Sequence, residues 1–230
     1  MHKSLLSIRH TGVAFLLIFF SLNFTLDARA GLISSTTAPV ASGPGLGLVI
    51  VPGIVTANPN NDNQVGGEPI TDNNLVIPLK RFDHNDYIDL VFTVTPSDGV
   101  TEYKVTEFVD NNTGIGWSSY KMQLGSGTGT SFVAATSGAL DFDAPFYDAA
   151  PTSPALPTVA TSPFELTFSG GSQGTGASPY TFRLDVPDLA TVGGPATFTL
   201  RQIPTPIPEP GTFAIAALGL IGLVARRWSR

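Results

Sequence analysis

The densest group of oxygen-bearing side chains is Asp83-His84-Asn85-Asp86-Tyr87-Ile88-Asp89. Calcium takes several carboxylate and carbonyl oxygens from one loop, which makes Asp83, Asn85 and Asp86 the candidate metal ligands. The stretch lacks the glycine and the closing glutamate of an EF-hand loop. Asp89 also falls in a strand pattern, where it alternates outward. The plainer reading is a solvated loop leading into a strand. Asp141-Phe142-Asp143, with Asp148 beyond Pro145, forms a second acidic patch open to the same two readings, because Asp and Asn are ordinary turn formers.

Catalytic constellations are scarce. His84 is the one histidine beyond the first thirty residues, and no cysteine occurs. Disulfides, thiol catalysis, Cys-type zinc sites and multi-His metal sites within one chain are therefore excluded. Paired carboxylates can hydrolyse glycosidic bonds, but no motif singles out a pair or points to a cleft. Trp117, Tyr103, Tyr120, Tyr147 and Tyr180 have the side chains of a sugar-stacking platform. Tyr180 alternates inward with Phe182, and Trp117 falls on the strand face opposite Tyr120 and Met122. No catalytic residue is assigned, and the expectation is a protein that is not an enzyme.

Between Gly31 and Pro210 there are six basic residues (Lys80, Arg81, Lys104, Lys121, Arg183, Arg201) against seventeen acids, a net charge of −11. Such a surface disfavours nucleic-acid phosphates, so no nucleic-acid partner is expected. It is compatible with cation binding, with solubility, or with repulsion from anionic polymers.

The elements that must position these residues read as strands. Tyr87 to Thr95 places Ile88, Leu90, Phe92 and Val94 on one face, a period of two. Pro96-Ser97-Asp98-Gly99 is a turn, and Val100 to Val109 is expected to return as the second arm of a hairpin. Further strands are expected at Leu46–Val51, Leu75–Ile77, Trp117–Leu124, Phe132–Ala139, Phe164–Phe168, Tyr180–Val186 and Ala196–Ile203. Asn58 to Asn74 and the proline-bearing Ala144 to Pro163 read as loops. Seven to nine strands with no convincing helix predict an all-β body, a single antiparallel β-sandwich, with a jelly roll as the alternative.

Both ends are different in kind. Lys3 and Arg9, an apolar run from Val13 to Phe20, and Ala28-Arg29-Ala30 form a secretory signal helix with cleavage expected before Gly31. At the other end stand Pro208-Glu209-Pro210, an uncharged run from Thr212 to Ala225, and the basic residues Arg226, Arg227 and Arg230. Those fourteen residues span roughly 21 Å as a helix, against a hydrocarbon core of about 30 Å. The segment is thus a short transmembrane helix, extendable if the arginines snorkel, with the basic end on the cytoplasmic side. Pro204, Pro206, Pro208 and Pro210 predict an extended spacer. The expected organisation is a signal peptide over 1–30, a β body over 31–203, a Pro-rich spacer over 204–211, and a transmembrane helix with basic tail over 212–230.

The triplet, the short apolar run from Phe213 to Val224 and the arginine pair together resemble the PEP-CTERM sorting signal of Gram-negative bacteria. The resemblance implies a substrate of exosortase, a membrane transpeptidase cutting near the triplet. It also implies an exported, membrane-held precursor whose mature part joins the cell surface or an exopolysaccharide or biofilm matrix. Two functions follow as expectations for the body: a non-catalytic surface or matrix component, or a glycan-binding module, calcium-assisted in one version.

Overall fold

The computed structural model describes residues 31–208, apart from positions 36, 52, 63–72, 98, 144–148 and 190–195. The signal segment with Ala28 and Ala30, and the tail with Glu209, Pro210, Arg226, Arg227 and Arg230, lie outside the described residues.

The strands, in chain order, are β1 (Gly31–Ile33), β2 (Val40–Ser42), β3 (Leu46–Ile50), β4 (Asn73–Phe82), β5 (Ile88–Pro96), β6 (Val100–Asn111), β7 (Trp117–Ser126), β8 (Val133–Ala134), β9 (Thr158–Ser162), β10 (Glu165–Ser169), β11 (Gly176–Pro187) and β12 (Ala196–Pro206). Among the described residues the only helical element is a single 3-10 turn, Gly129–Ser131. The described residues are all-β, as the patterning of the body predicts. One sheet runs β1-β5-β12-β7-β10-β9, with β2 also on β5 and β8 on β7; the other runs β11-β6-β4-β3. Every pairing is antiparallel except β4 with β6, which is parallel.

The two sheets share one interior. β5 contributes Ile88, Leu90, Phe92 and Val94, β12 contributes Phe198 and Leu200, and β11 contributes Tyr180, Phe182, Leu184 and Val186, all buried. Aromatic rings cross between the sheets. Phe82 of β4 meets Trp117 and Tyr120 of β7 edge-on at 5.2 and 5.9 Å, and Tyr180 of β11 lies 4.8 Å from Tyr120 and 5.0 Å from Phe168 of β10. Each such fully buried ring contributes about 2–3 kcal/mol by removal from water.

Several expectations are corrected. β5 and β6 do not form a hairpin: β5 pairs with β1, β2 and β12, whereas β6 lies between β11 and β4 in the other sheet. The turn around Gly99 (φ 112°) carries the chain across the interior, and inward faces of alternating type suit an arch of this kind as well as they suit a hairpin. Trp117 is not opposite Tyr120 and Met122. The register between β7 and β12 shifts near Ser118, where Thr205 faces Ser119 but Pro206 faces Trp117. This bulge restores Trp117 to the inner face, where it stacks on Tyr120 at 6.0 Å.

The proline-bearing stretch is only partly loop. Between Pro157 and Pro163 lies a proline-free window rich in β-branched residues, and it forms β9. Upstream, Asp141 and Thr152 bridge to Asp185 and Thr181 along the otherwise open edge of β11, while Phe142 and Leu156 are buried. The strand expected over Phe132–Ala139 contracts to β8. β4 is much longer than Leu75–Ile77, and β12 continues through Pro206, so Pro204 and Pro206 belong to the strand and not to a spacer.

Gly43 and Gly45 turn the chain from β2 in the larger sheet to β3 in the smaller one. Gly43 has φ 116°, and a Cβ there would stand 2.5 Å from the Tyr87 carbonyl oxygen. Gly43→Ala is expected to destabilise the fold by about 2–4 kcal/mol, since strain and a backbone clash add. Urea unfolding measures it; an unchanged midpoint would show that the turn accepts a side chain.

Candidate functional site

The interior holds a polar cluster that no stretch of sequence presents as a motif. β4 alternates Asn73, Leu75 and Ile77 inward, then its register on β6 shifts between Ile77 and Lys80. Pro78 and Leu79 occupy the irregularity, and Lys80 and Phe82 face inward beyond it. β6 alternates Tyr103, Val105, Glu107 and Val109 inward, and β12 alternates Phe198, Leu200 and Gln202. Lys80, Glu107 and Gln202 therefore meet at the centre, each 0% exposed.

Lys80 Nζ contacts both Glu107 Oε2 and Gln202 Oε1. Gln202 Nε2 donates to Glu107 Oε2 at 2.9 Å and to Oε1 at 3.1 Å. The Tyr120 hydroxyl donates to Glu107 Oε1 at 3.4 Å, and Lys80 Nζ lies 5.6 Å from the centre of the Tyr120 ring. Burial draws the Lys80 amine down to about 8, although the Glu107 carboxylate opposes that shift. Burial and the same carboxylate push the Tyr120 hydroxyl up, which keeps it a phenol and a donor. The cluster therefore sets an amine, a carboxyl and a primary carboxamide in mutual contact away from bulk solvent.

A second knot lies nearby. Tyr180 donates to Gln173 Oε1 at 2.5 Å, and Gln173 Nε2 donates to the Val109 carbonyl at 2.7 Å. On the outer face of the larger sheet, Asp89 is 0% exposed and binds Arg201 through Nε at 2.7 Å and Nη2 at 2.8 Å. The guanidinium sits between the rings of Tyr87 and Phe132, 4.1 and 4.0 Å from their centres. Asp89 does point outward, but the segment around the 3-10 turn covers it, with Gly129 N donating to its carboxylate at 2.8 Å.

The three metal candidates have protein donors on their side-chain oxygens. Asp83 accepts from Asn112 Nδ2 at 2.9 Å, Asn85 accepts from Trp117 Nε1 at 2.7 Å, and Asp86 accepts from the Tyr87 amide at 2.7 Å. Among the described residues no three carboxylate or imidazole groups gather as a metal would require. Trp117, Tyr103, Tyr120 and Tyr180 are all buried and unavailable as a stacking surface; Tyr147 lies outside the described residues.

The last strand delivers the chain to its sorting end. β12 pairs with β5 only as far as Gln202, and with β7 as far as Pro206. Ile207 N donates to the Gly116 carbonyl at 2.7 Å, so alternate residues 203, 205 and 207 face β7. Pro204 and Pro206 thus put their missing N–H groups on the side where β5 has already ended, the placement a strand allows for proline. Pro208 follows directly and is exposed.

An all-β body whose final strand runs into Pro208-Glu209-Pro210 and a short apolar, arginine-ended tail defines a protein built for export and C-terminal sorting. Residues 206–230 match the family model described as the PEP-CTERM protein-sorting motif. The motif implies export and processing by exosortase, from a membrane-anchored precursor in a Gram-negative bacterium. No curated protein matches the chain significantly, and neither does any solved structure. Among the described residues no helix is long and apolar enough to cross a membrane.

Asp185 on β11 lies near Asp141 and Asp143. Burial first, and then the neighbouring carboxylates of Asp143 and Asp141, push it up to about 9. Between the ordinary carboxylate range and that value the unfolded chain has released a proton that the folded chain keeps. Stability contributed by the neutral form is therefore complete in acid and is lost as pH rises toward 9. Asp185→Asn should raise Tm at pH 8 by roughly 5 °C, with the advantage closing toward pH 4. Thermal melts across that range test it, and a difference that did not vary with pH would refute it.

Proposed function

We propose that the body is a non-catalytic component of the cell surface or of an exopolysaccharide matrix, released into place from a membrane-held precursor. The observation that carries this reading is the position of the matched sorting motif. It begins at Pro206, the last residue of β12, so the signal follows the folded, acidic β body without an intervening linker. The charge of −11 between Gly31 and Pro210 suits a hydrated polymer environment in which the protein must stay soluble.

In this reading the apolar run from Thr212 to Ala225 is a temporary hold. Its length is marginal for a span, and the sorting transpeptidase removes it. The double variant Pro208→Ala, Glu209→Ala is expected to accumulate as an uncut precursor in the membrane fraction, with the matrix pool falling at least tenfold. Fractionation and mass spectrometry of the C-terminus measure both. Arrival of the variant in the matrix at the parent's mature size would refute the sorting role of the triplet.

A further inference from the structure

We infer that Lys80 and Gln202 become joined by an amide bond between Lys80 Nζ and Gln202 Cδ, formed by the folded protein on itself, with Glu107 moving the protons. The three groups come from positions separated by 27, 95 and 122 residues and from both sheets. They converge with the roles such a bond requires. The amine is the nucleophile and lies against the carboxamide oxygen. The carboxamide nitrogen is the leaving group. One carboxyl, that of Glu107, contacts both nitrogens.

Burial supplies the activation. An ammonium cannot attack, and a charged pair sealed from water is costly. The low affinity of Lys80 for its proton, brought down to about 8 by desolvation, makes transfer to Glu107 accessible. This gives a neutral amine beside a neutral acid. Holding the amine against the carboxamide oxygen replaces a bimolecular encounter by an internal one, and once Nζ swings over Cδ such placement is worth effective molarities of up to about 10⁵–10⁸ M. Burial from bulk solvent protects the carboxamide from hydrolysis. The ring of Tyr120 walls one side, and its hydroxyl orients the Glu107 carboxyl.

The step balances. Lys80 Nζ forms a bond to Gln202 Cδ, and the carbon becomes tetrahedral. Glu107 gives its proton to the carboxamide nitrogen and takes one from the attacking nitrogen. The C–N bond to the former carboxamide nitrogen breaks, and ammonia leaves. A primary amine and a primary amide become a secondary amide and ammonia, with no oxidant or cofactor. Glu107 ends as it began the step, with its proton restored, and escape of ammonia to solvent makes the step irreversible. In a merely structural cluster the carboxamide would only complete the hydrogen bonding of the Lys80–Glu107 pair, and peptide mapping separates that arrangement from the linked one.

The test is peptide mapping of the purified full chain, held folded at pH 7–8, against Lys80→Met, Glu107→Gln and Gln202→Ala. The parent is expected to be lighter by about 17 Da, the mass of one ammonia. It should also yield a branched peptide in which the segment containing Lys80 is linked to the one containing Gln202. An N-terminal glutamine can lose ammonia by cyclising after digestion, so the branched ion decides and the mass deficit alone does not. Lys80→Met and Gln202→Ala should give no branched ion, and Glu107→Gln less than a tenth of the parent's yield. Recovery of both segments from the folded parent solely as linear peptides would overturn the proposal, whether or not the variants fold. Undiminished linkage in Glu107→Gln would overturn the role of Glu107.

Discussion

Everything in the interior is arranged around one constraint: a lysine, a glutamate and a glutamine share a space buried from bulk solvent. Taking two charges out of water costs several kcal/mol each, and removing one partner of such a pair typically costs 3–5 kcal/mol. The cluster is therefore tolerable only if every member is placed and satisfied together. Lys80 and Glu107 sit on neighbouring strands of one sheet, and Gln202 reaches them from the other. The two sheets cannot slide or separate without stranding a charge, so the cluster fixes their relative position in a way that apolar packing, which is non-directional, does not.

The aromatic residues serve this constraint. Tyr120 touches the cluster with its hydroxyl and its face, and it is held by Trp117 behind it and by Phe82 and Tyr180 at its edges. Trp117 in turn donates to Asn85, which ties the loop after β4 to the core. Two local irregularities make this possible. The shift after Ile77 turns Lys80 inward, and the shift at Ser118 does the same for Trp117. Without either, the same residues would project to the opposite face, because a one-residue slip reverses every side chain beyond it.

Those irregularities mark the limit of what the sequence discloses. Regular strands were legible: the period-two runs of β5, β11 and β12 specify their inner faces without tertiary information. Glu107 and Gln202 were not singled out, although each is a polar residue falling in an apolar phase, the one set by Val105 and Val109 and the other by Phe198 and Leu200. Lys80 was not legible, since its phase depends on how Pro78 and Leu79 are absorbed against β6. The crossing from β5 to β6 was equally hidden, because a turn of Pro, Ser, Asp and Gly serves an arch as well as a hairpin. The sorting tail was the most readable part, since its meaning lies in linear order alone. Its junction with the body was misplaced, because prolines at alternate positions were compatible with a strand that has lost one neighbour.

That junction links the interior to the sorting end. Gln202 is the last residue of β12 with a strand on both sides; from Ile203 onward the chain is held by β7 alone and then leaves as the triplet. Tension applied at the C-terminal end would unzip this single ladder from Pro206 inward and reach Gln202 within a few residues. There the load would meet side-chain bonds that cross to β4 and β6, and, once the amide has formed, a covalent bond to Lys80. The 122-residue span between those two positions would then carry none of a pull between the chain's two ends. For as long as a precursor is held by its C-terminal end, reinforcement counts most at the strand that leads to the hold. β12 is that strand, and it is the one that supplies the carboxamide.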